Sequence, residues 1–343
     1  MPAAKRIRIA DKYIGGGSPI LVQSMCNTPT KDAEKTIKQI HLLEKLGCEI
    51  IRVAVPDMDS AKALKTIKKN ISIPIVADIH YDYRLAVESA KYVDKLRINP
   101  GNIGDEAKIV EVVKAAKQYK LPIRIGVNLG SIEREIKAKY GLTPEAMVKS
   151  AEKHIALLEK NHFFDIVVSL KASDVTKTII ANRLFAKQFS YPLHLGITEA
   201  GSVYTGTINN AVGIGVLLAE GIGDTIRVSI SGNPAEEVRA GWQILKALRL
   251  RERGITVVAC PTCARTEIDV AKIAQEIEEK TAGVNKVVKV AVMGCAVNGI
   301  GEAEEADIGV VGKRDGAFLY KKGEFIEKIP KNAITKRILQ ELQ

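Results

Sequence analysis

The sequence predicts an α/β protein: a (β/α)8 TIM barrel over residues 1–253, followed by a small α+β domain over residues 254–343. Three observations carry this. Eight short apolar runs alternate with amphipathic stretches across the first ~250 residues, the span that a (β/α)8 barrel uses. The glycine signatures of a doubly wound sheet are missing, since no G-x-G-x-x-G follows the first run and no G-x-x-x-x-G-K-[ST] occurs. The pattern then changes at Gly254, where ITVVA leads into a C-x-x-C.

In order, the runs are ILVQSM from Ile20, EIIRVAV from Glu49, IPIVADI from Ile73, DKLRINP from Asp94, PIRIGVN from Pro122, FDIVVSLK from Phe164, PLHLGITEAG from Pro192 and DTIRVSISG from Asp224. Such runs, rich in Val and Ile, suit parallel strands covered on both faces. Between them lie helical faces: Ile37, Ile40, Leu43 and Leu46, with Gly47 placed as a C-cap; Ile109, Val112 and Ala116; Met147, Ala151, Ile155 and Leu158; and Val238, Trp242, Leu245 and Leu248. The last two open at Thr143-Pro144 and Asn233-Pro234, where proline fits the first helical position. The segment before Ile20, with Gly15-Gly16-Gly17, is expected to form a hairpin closing the barrel floor. Past CPTCAR, Thr266 and Asp269 offer a capping box for a helix ended by Gly283. A strand, a glycine-rich loop and a strand follow across KVVKVAVMGCAVNGIGEAEEADIGVVG, then a hairpin, AFLYKKGEFIEKI, and a terminal helix.

Composition narrows the function classes. Hydrophobic residues make up 46% of the 343 residues and charged residues 27%, an ordinary globular profile. No apolar stretch is long enough to span a bilayer, and MPAAKRIRIADKY has no apolar signal core, so no membrane role and a cytoplasmic location are expected. The five cysteines are odd in number and scattered, which argues against a disulfide framework. The net charge of +11 fits a nucleic acid, an anionic small molecule or an acidic protein partner, or a plain lysine-rich surface. Aromatics at 5% speak against a base-stacking surface, and no nucleic-acid partner is expected.

The strand ends are polar in a particular way. Side chains alternate along a strand, so Arg97 shares a face with Asn99, Asp78 with His80, Ser169 with Lys171, Arg124 with Asn128, and Arg227 with Ser229 and Ser231. Burying an arginine in a barrel strand is unfavourable unless an anion or carboxylate pairs with it. For one arginine, a neighbouring carboxylate such as Asp78 or Glu199 would suffice. Four at equivalent strand positions, Arg52, Arg97, Arg124 and Arg227, point to a substrate with more than one phosphate, bound at the C-terminal mouth where barrel sites lie. His80 and His194 are acid–base candidates, while His41, His154 and His162 read as structural. Glu199, ending the seventh run, could carry a proton or pair with an arginine.

Cys260, Cys263 and Cys295 each leave a strand-like run and could converge as a soft-metal site. Zinc would need a fourth ligand, and no histidine follows His194. An iron–sulfur cluster completed by oxygen from Glu302, Glu304 or Glu305 is the sharper reading; a redox pair Cys260/Cys263 with a buried Cys295 is the plainer one.

CPTCAR at Cys260 and MGCAVNGIGEA at Met293, with VQSM, RVAVP, ADIH, LRINPGN, RIGVN, SLKAS, GITEAG and RVSISG along the barrel, closely resemble the 4-hydroxy-3-methylbut-2-enyl diphosphate synthase family in its two-domain bacterial form. The resemblance covers essentially the whole chain, with one departure: Ile300 stands where the family usually has proline. It implies a flavodoxin- or ferredoxin-dependent oxidoreductase of the non-mevalonate isoprenoid pathway. That enzyme opens 2-C-methyl-D-erythritol 2,4-cyclodiphosphate with two electrons and removes a hydroxyl. It implies one 4Fe-4S cluster per chain held by Cys260, Cys263, Cys295 and Glu302, and a diphosphate held by Arg52, Arg97, Arg124 and Arg227. Asp78, His80, Asn99, Asn128, Lys171 and Ser229 would line the same mouth, with Glu199 as catalytic proton donor. It also implies a homodimer. Cys26 and Cys48 have no assigned part. Two other readings stand beside it: a barrel transferase of the dihydropteroate synthase type, suggested by N-T-P-T after Met25, and a zinc-ribbon nucleic-acid binder, suggested by the charge.

Overall fold

The structure, a computed structural model, describes residues 4–342. The chain folds as two compact units, one running to Arg251 and one beginning at Glu252. No helix among the described residues is long and apolar enough to cross a membrane.

The first unit opens with an antiparallel hairpin, β1 (Ile7–Ile9) and β2 (Lys12–Ile14). Eight parallel strands follow: β3 (Leu21–Met25), β4 (Ile50–Ala54), β5 (Ile75–Ile79), β6 (Lys95–Ile98), β7 (Ile123–Asn128), β8 (Ile166–Lys171), β9 (His194–Leu195) and β10 (Thr225–Ile226). Their spatial order is β8-β7-β6-β5-β4-β3-β10-β9. The ring closes where Val168 bridges Leu193, its N–H donating to Pro192 O at 2.9 Å. Every strand expected from the sequence is present, but β9 and β10 are two residues long. Beyond them the chain leaves the ladder at Gly196 and Arg227, so the polar ends of those runs belong to loops.

Ile7, Ile9 and Ile14 of the hairpin pack on Leu21, Ile50, Val76 and Val167, at or near the N-terminal ends of their strands, and plug the barrel floor. The turn of the hairpin falls at Ala10, in left-handed conformation at φ 50°, and the three glycines lie after it. The helical faces read from sequence are buried at Ile109, Val112, Ala116, Met147, Ala151, Ile155, Leu158, Val238, Trp242 and Leu245. Thr143 and Asn233 cap the helices Pro144–Lys160 and Pro234–Ala247, each accepting a backbone N–H just inside the first turn. Gly47, at φ 103°, ends the helix Ala33–Lys45, as its placement predicted.

The second unit is a five-stranded sheet in sequential order: β11 (Ile255–Ala259), β12 (Val288–Met293), β13 (Ile308–Lys313), β14 (Gly316–Lys321) and β15 (Glu324–Ile329). The first three are parallel and the last two return antiparallel. Helices Val270–Thr281 and Ile334–Glu341 bury Ile273, Ile277, Ile334 and Ile338 against Val290, Val310 and Leu319. Two expectations change here. Asp269 alone caps the first of these helices, accepting from Lys272 N, while the Thr266 hydroxyl accepts from Cys263 N instead. The expected glycine-rich loop is a helix, Ala296–Glu304. Its glycines serve close packing: a Cβ at Gly299 would sit 2.9 Å from Val311 and 3.0 Å from Met293. Ile300 therefore lies inside a helix, not in a turn.

Candidate functional site

Strand register builds the barrel mouth. Val76 and Val167 belong to the interior floor cluster, and neighbours paired across a parallel sheet point to one side. Val76 pairs with Arg52 and Lys95, and Val167 pairs with Arg124, which pairs with Arg97. All four cations therefore face inward, with Asp78 two residues beyond Val76. The inward side chains enclose a cavity of about 150 Å³ lined by Arg52, Asp78, His80, Arg97, Arg124, Asn128, Ser169, Lys171, Thr198, Arg227 and Ser229. A groove of about 740 Å³ in the second unit is larger, but it lacks converging buried polar groups.

The charges are unequal. Asp78 accepts from Arg97 Nη1 at 2.9 Å and lies 3.8 Å from Arg52 Nε. Burial alone would raise the Asp78 carboxyl; Arg52, then His80 and Arg97, outweigh it and hold the group far below the usual carboxylate range. Arg227 is gripped by Glu237, at 2.9 and 3.2 Å, and the Ser24 hydroxyl also donates to Glu237. Arg124 has only a 3.4 Å contact to Gln23 Oε1, and its Nε has no partner. Burial presses Arg52 down to about 9, with Arg227 and Arg97 adding repulsion, which still leaves it charged at neutral pH. Burial first, then Arg124 and the other arginines, pushes Lys171 well below the ordinary lysine range. Four guanidinium groups thus face two carboxylates, Asp78 and Glu237, in a largely buried chamber. That surplus is a standing demand for an anion.

His80 Nε2 lies 2.6 Å from Arg97 Nη1. The same Nε2 lies 3.6 Å from Asp78 Oδ1. Two glycines make room for the cations. A Cβ at Gly126 would sit 2.5 Å from Arg97 Nη2, and one at Gly196 would sit 2.5 Å from Lys171 Nζ.

Three of the sequence candidates stand apart. Asn99 is buried and spends its side-chain oxygen on Gly101 N, capping the short helix that follows β6, so it does not line the cavity. His194 is fully buried, with Nδ1 2.8 Å from the Thr225 hydroxyl; burial, then Arg124, drives it well below the usual histidine range, so it is a neutral interior group. Glu199 is exposed, left-handed at φ 48°, and accepts from the Thr198 hydroxyl at 3.0 Å. It follows the cavity wall by one residue without lining it. Thr198, Glu237, Gln23 and Lys95 were not singled out from sequence. Period-two alternation would have found Lys95 from Arg97; Thr198 lies in the loop past β9 and Glu237 on a helix, so neither carries such a signal.

In the second unit, β11 and β12 are parallel neighbours, and Cys260 and Cys295 follow their C-terminal ends. Gly294 N–H donates to Cys260 Sγ at 3.1 Å, and Cys263 lies exposed on the next loop. A backbone N–H from Arg265 lowers the Cys263 thiol, whereas burial pushes Cys48 up to about 12. Cys26 is likewise buried with a raised thiol. The three sulfurs are at least partly accessible, and backbone N–H groups turn toward Cys260 and Cys263, a setting that suits a thiolate-held group. Glu302 is exposed two turns along the helix that begins after Cys295, roughly 10 Å up its axis. Among the described residues no three His, Cys, Asp or Glu side chains are gathered closely enough to hold a metal ion.

The family model of the GcpE TIM-barrel domain matches residues 4–242, and that of the GcpE protein C-terminal domain matches residues 256–343. The chain belongs to the GcpE family. Among GcpE relatives, proteins named 4-hydroxy-3-methylbut-2-en-1-yl diphosphate synthase (flavodoxin) are close in sequence. The one from Caldanaerobacter subterraneus is 56% identical, with 99% of this chain and 96% of that protein covered. The one from Geobacter sulfurreducens is 52% identical, with 99% and 97% covered. Outside GcpE, dihydropteroate synthase from Coxiella burnetii superposes with a TM-score of 0.51 at 14% identity, covering 71% of this chain and 97% of that one. That likeness shows the shared barrel fold and nothing of the chemistry.

Proposed function

We propose that this GcpE protein converts 2-C-methyl-D-erythritol 2,4-cyclodiphosphate to 4-hydroxy-3-methylbut-2-enyl diphosphate, taking electrons from flavodoxin or ferredoxin. The reaction consumes two electrons and two protons and releases one water. The observation that carries the reading is the surplus of buried guanidinium charge around one small cavity. A diphosphate supplies the missing negative charge and suits the fork geometry of arginine. Arg52, Arg97, Arg124 and Arg227 bind the phosphates, with Lys171, Asn128 and Ser229 donating beside them. Asp78 and Glu237 hold Arg97 and Arg227 in place, and His80, held by Arg97, faces the same chamber. Glu199, at the rim, delivers a proton to the leaving oxygen.

Cys260, Cys263 and Cys295 would hold a 4Fe-4S cluster, with Glu302 as its oxygen ligand. Such a cluster, when bound, supplies electrons and a Lewis-acidic iron. The homodimer implied by the family pattern belongs to the same reading and is checked by sedimentation of the holoprotein. The transferase alternative, suggested by N-T-P-T after Met25 and by the anion-binding mouth, accounts for none of the three cysteines.

The deciding experiment reconstitutes the protein anaerobically and supplies reduced flavodoxin and the cyclodiphosphate. The expected result is a brown protein with near-equal iron and sulfide, forming the linear diphosphate. Stoichiometric zinc in a colourless protein, or turnover that survives loss of all three cysteines, would overturn the reading.

A further inference from the structure

Below the anion-binding tier the barrel interior carries a second polar tier with no assigned role. Lys95 begins β6, pairs with Val76 of the floor cluster, and is fully buried. Its Nζ has no hydrogen-bond partner, and neither do Gln23 Nε2, Arg124 Nε or His194 Nε2. Orphaned polar atoms this deep are rare and call for a reason.

The charges that face Lys95 give one. Arg124 from β7 and Arg52 from β4 both repel an ammonium there, and burial opposes it first of all. His194 on β9 is neutral, and Gln23 on β3 is uncharged. Lys171 on β8 and Arg227 beyond β10 add positive charge to the tier above. Asp78, two residues beyond Val76 on β5, is already engaged by Arg97. A guanidinium cannot relieve the crowding by losing its proton, but an amine can.

We propose that Lys95 is a positioning residue of the diphosphate site, an uncharged amine in the free protein that takes up a proton when phosphate groups enter against Arg52 and Arg124. The incoming negative charge turns the local balance from repulsive to attractive. Lys95 then reinforces Arg124 from beneath without touching the substrate. The inference rests on the anion-site reading above and deepens it.

The test is calorimetric titration of the holoprotein with 2-C-methyl-D-erythritol 2,4-cyclodiphosphate in buffers of different ionisation heat, at pH 7 to 9. Wild type should take up protons on binding, and Lys95→Met should take up fewer by most of one proton. Lys95→Met should also raise KM by roughly tenfold at pH 7, with kcat little changed. Lys171→Met separates the share of the lysine that lines the cavity. Equal proton uptake in wild type and Lys95→Met would overturn the proposal. Should the variant fail to fold, zero uptake by wild type across the pH range overturns it just as well. Absence of any cyclodiphosphate binding would instead refute the anion-site reading itself.

Discussion

Replacing Asp78 by asparagine tests the electrostatic frame of the mouth. The carboxylate and its Arg97 partner are 8% and 7% exposed, so solvent screens the pair very little. Asparagine keeps the shape and removes the charge. Arg97 loses its 2.9 Å ion pair, and Arg52, 3.8 Å away, loses its nearest counter-charge. Breaking one side of a buried pair typically destabilises by about 3–5 kcal/mol, because the remaining charge is stranded. Here two charges are stranded, which places the expectation at the upper end. With a urea dependence of about 3 kcal/mol/M for a domain of this size, the unfolding midpoint should fall by more than about 1 M. The protein has one tryptophan, Trp242, buried on a barrel helix with its Nε1 donating to Gly47 O at 2.9 Å, so its fluorescence follows the barrel unit alone. The pH dependence follows by linkage. The Asp78 carboxyl is lowered in the folded state, so its contribution is fully present above the unfolded value near 4 and is lost as the pH falls below it. Asp78→Asn should therefore be less stable at pH 7 and also less sensitive to acid. A midpoint shift under about 0.2 M, with an unchanged acid limb, would refute the idea that Asp78 neutralises this cluster.

Arg124→Met should separate binding from stability. The arginine is buried among cations with a single weak contact, so its loss should leave the barrel unchanged or stabilise it by about 1–3 kcal/mol, while cyclodiphosphate affinity falls about 10- to 100-fold; parallel urea melts and calorimetry decide, and a destabilised variant would contradict it. Gly126→Ala should drive a methyl group into the Arg97 guanidinium, raising KM well over tenfold in steady-state assays with the fold retained; an unchanged KM means that Arg97 has slack there. Glu302→Ala should retain more iron than Cys295→Ser after anaerobic reconstitution, since a carboxylate is the weaker iron ligand; equal iron loss in both would count against the assignment of Glu302.

Most of the barrel was legible because its signal is local. Continuous apolar runs mark strands covered on both faces, and Thr143-Pro144 and Asn233-Pro234 mark helix starts whatever the tertiary context. The failures lie where packing overrides propensity. Two glycines in AVNGIGEAE suggest a loop, yet Gly299 is there so that a helix can lie close against Val311 and Met293. The lengths of β9 and β10 depend on where Gly196 and Arg227 leave the ladder, which no run of Val and Ile announces.

The mouth was legible through parity. Once Arg97 faces inward, strand alternation assigns Asn99 and Lys95 to the same face, and register extends the argument to Arg52, Arg124 and Lys171. Parity gives direction, not reach. It placed Asn99 on the right face but not its hydrogen bond to Gly101 N, which turns the side chain into a cap. Nor could it find Glu237, which reaches Arg227 from a helix at a spacing unrelated to any strand period.

The sequence posed a choice between arginines paired with carboxylates and arginines left without a counter-ion, and the structure contains both kinds. Arg97 and Arg227 are held by Asp78 and Glu237, Arg52 shares Asp78, and Arg124 has no counter-ion of its own. Fully paired arginines would be fixed but would bind nothing; fully unpaired ones would repel one another and collapse out of register. Two carboxylates among four guanidinium groups orient the forks and still leave the chamber short of negative charge, which is the condition a tight and selective diphosphate site requires.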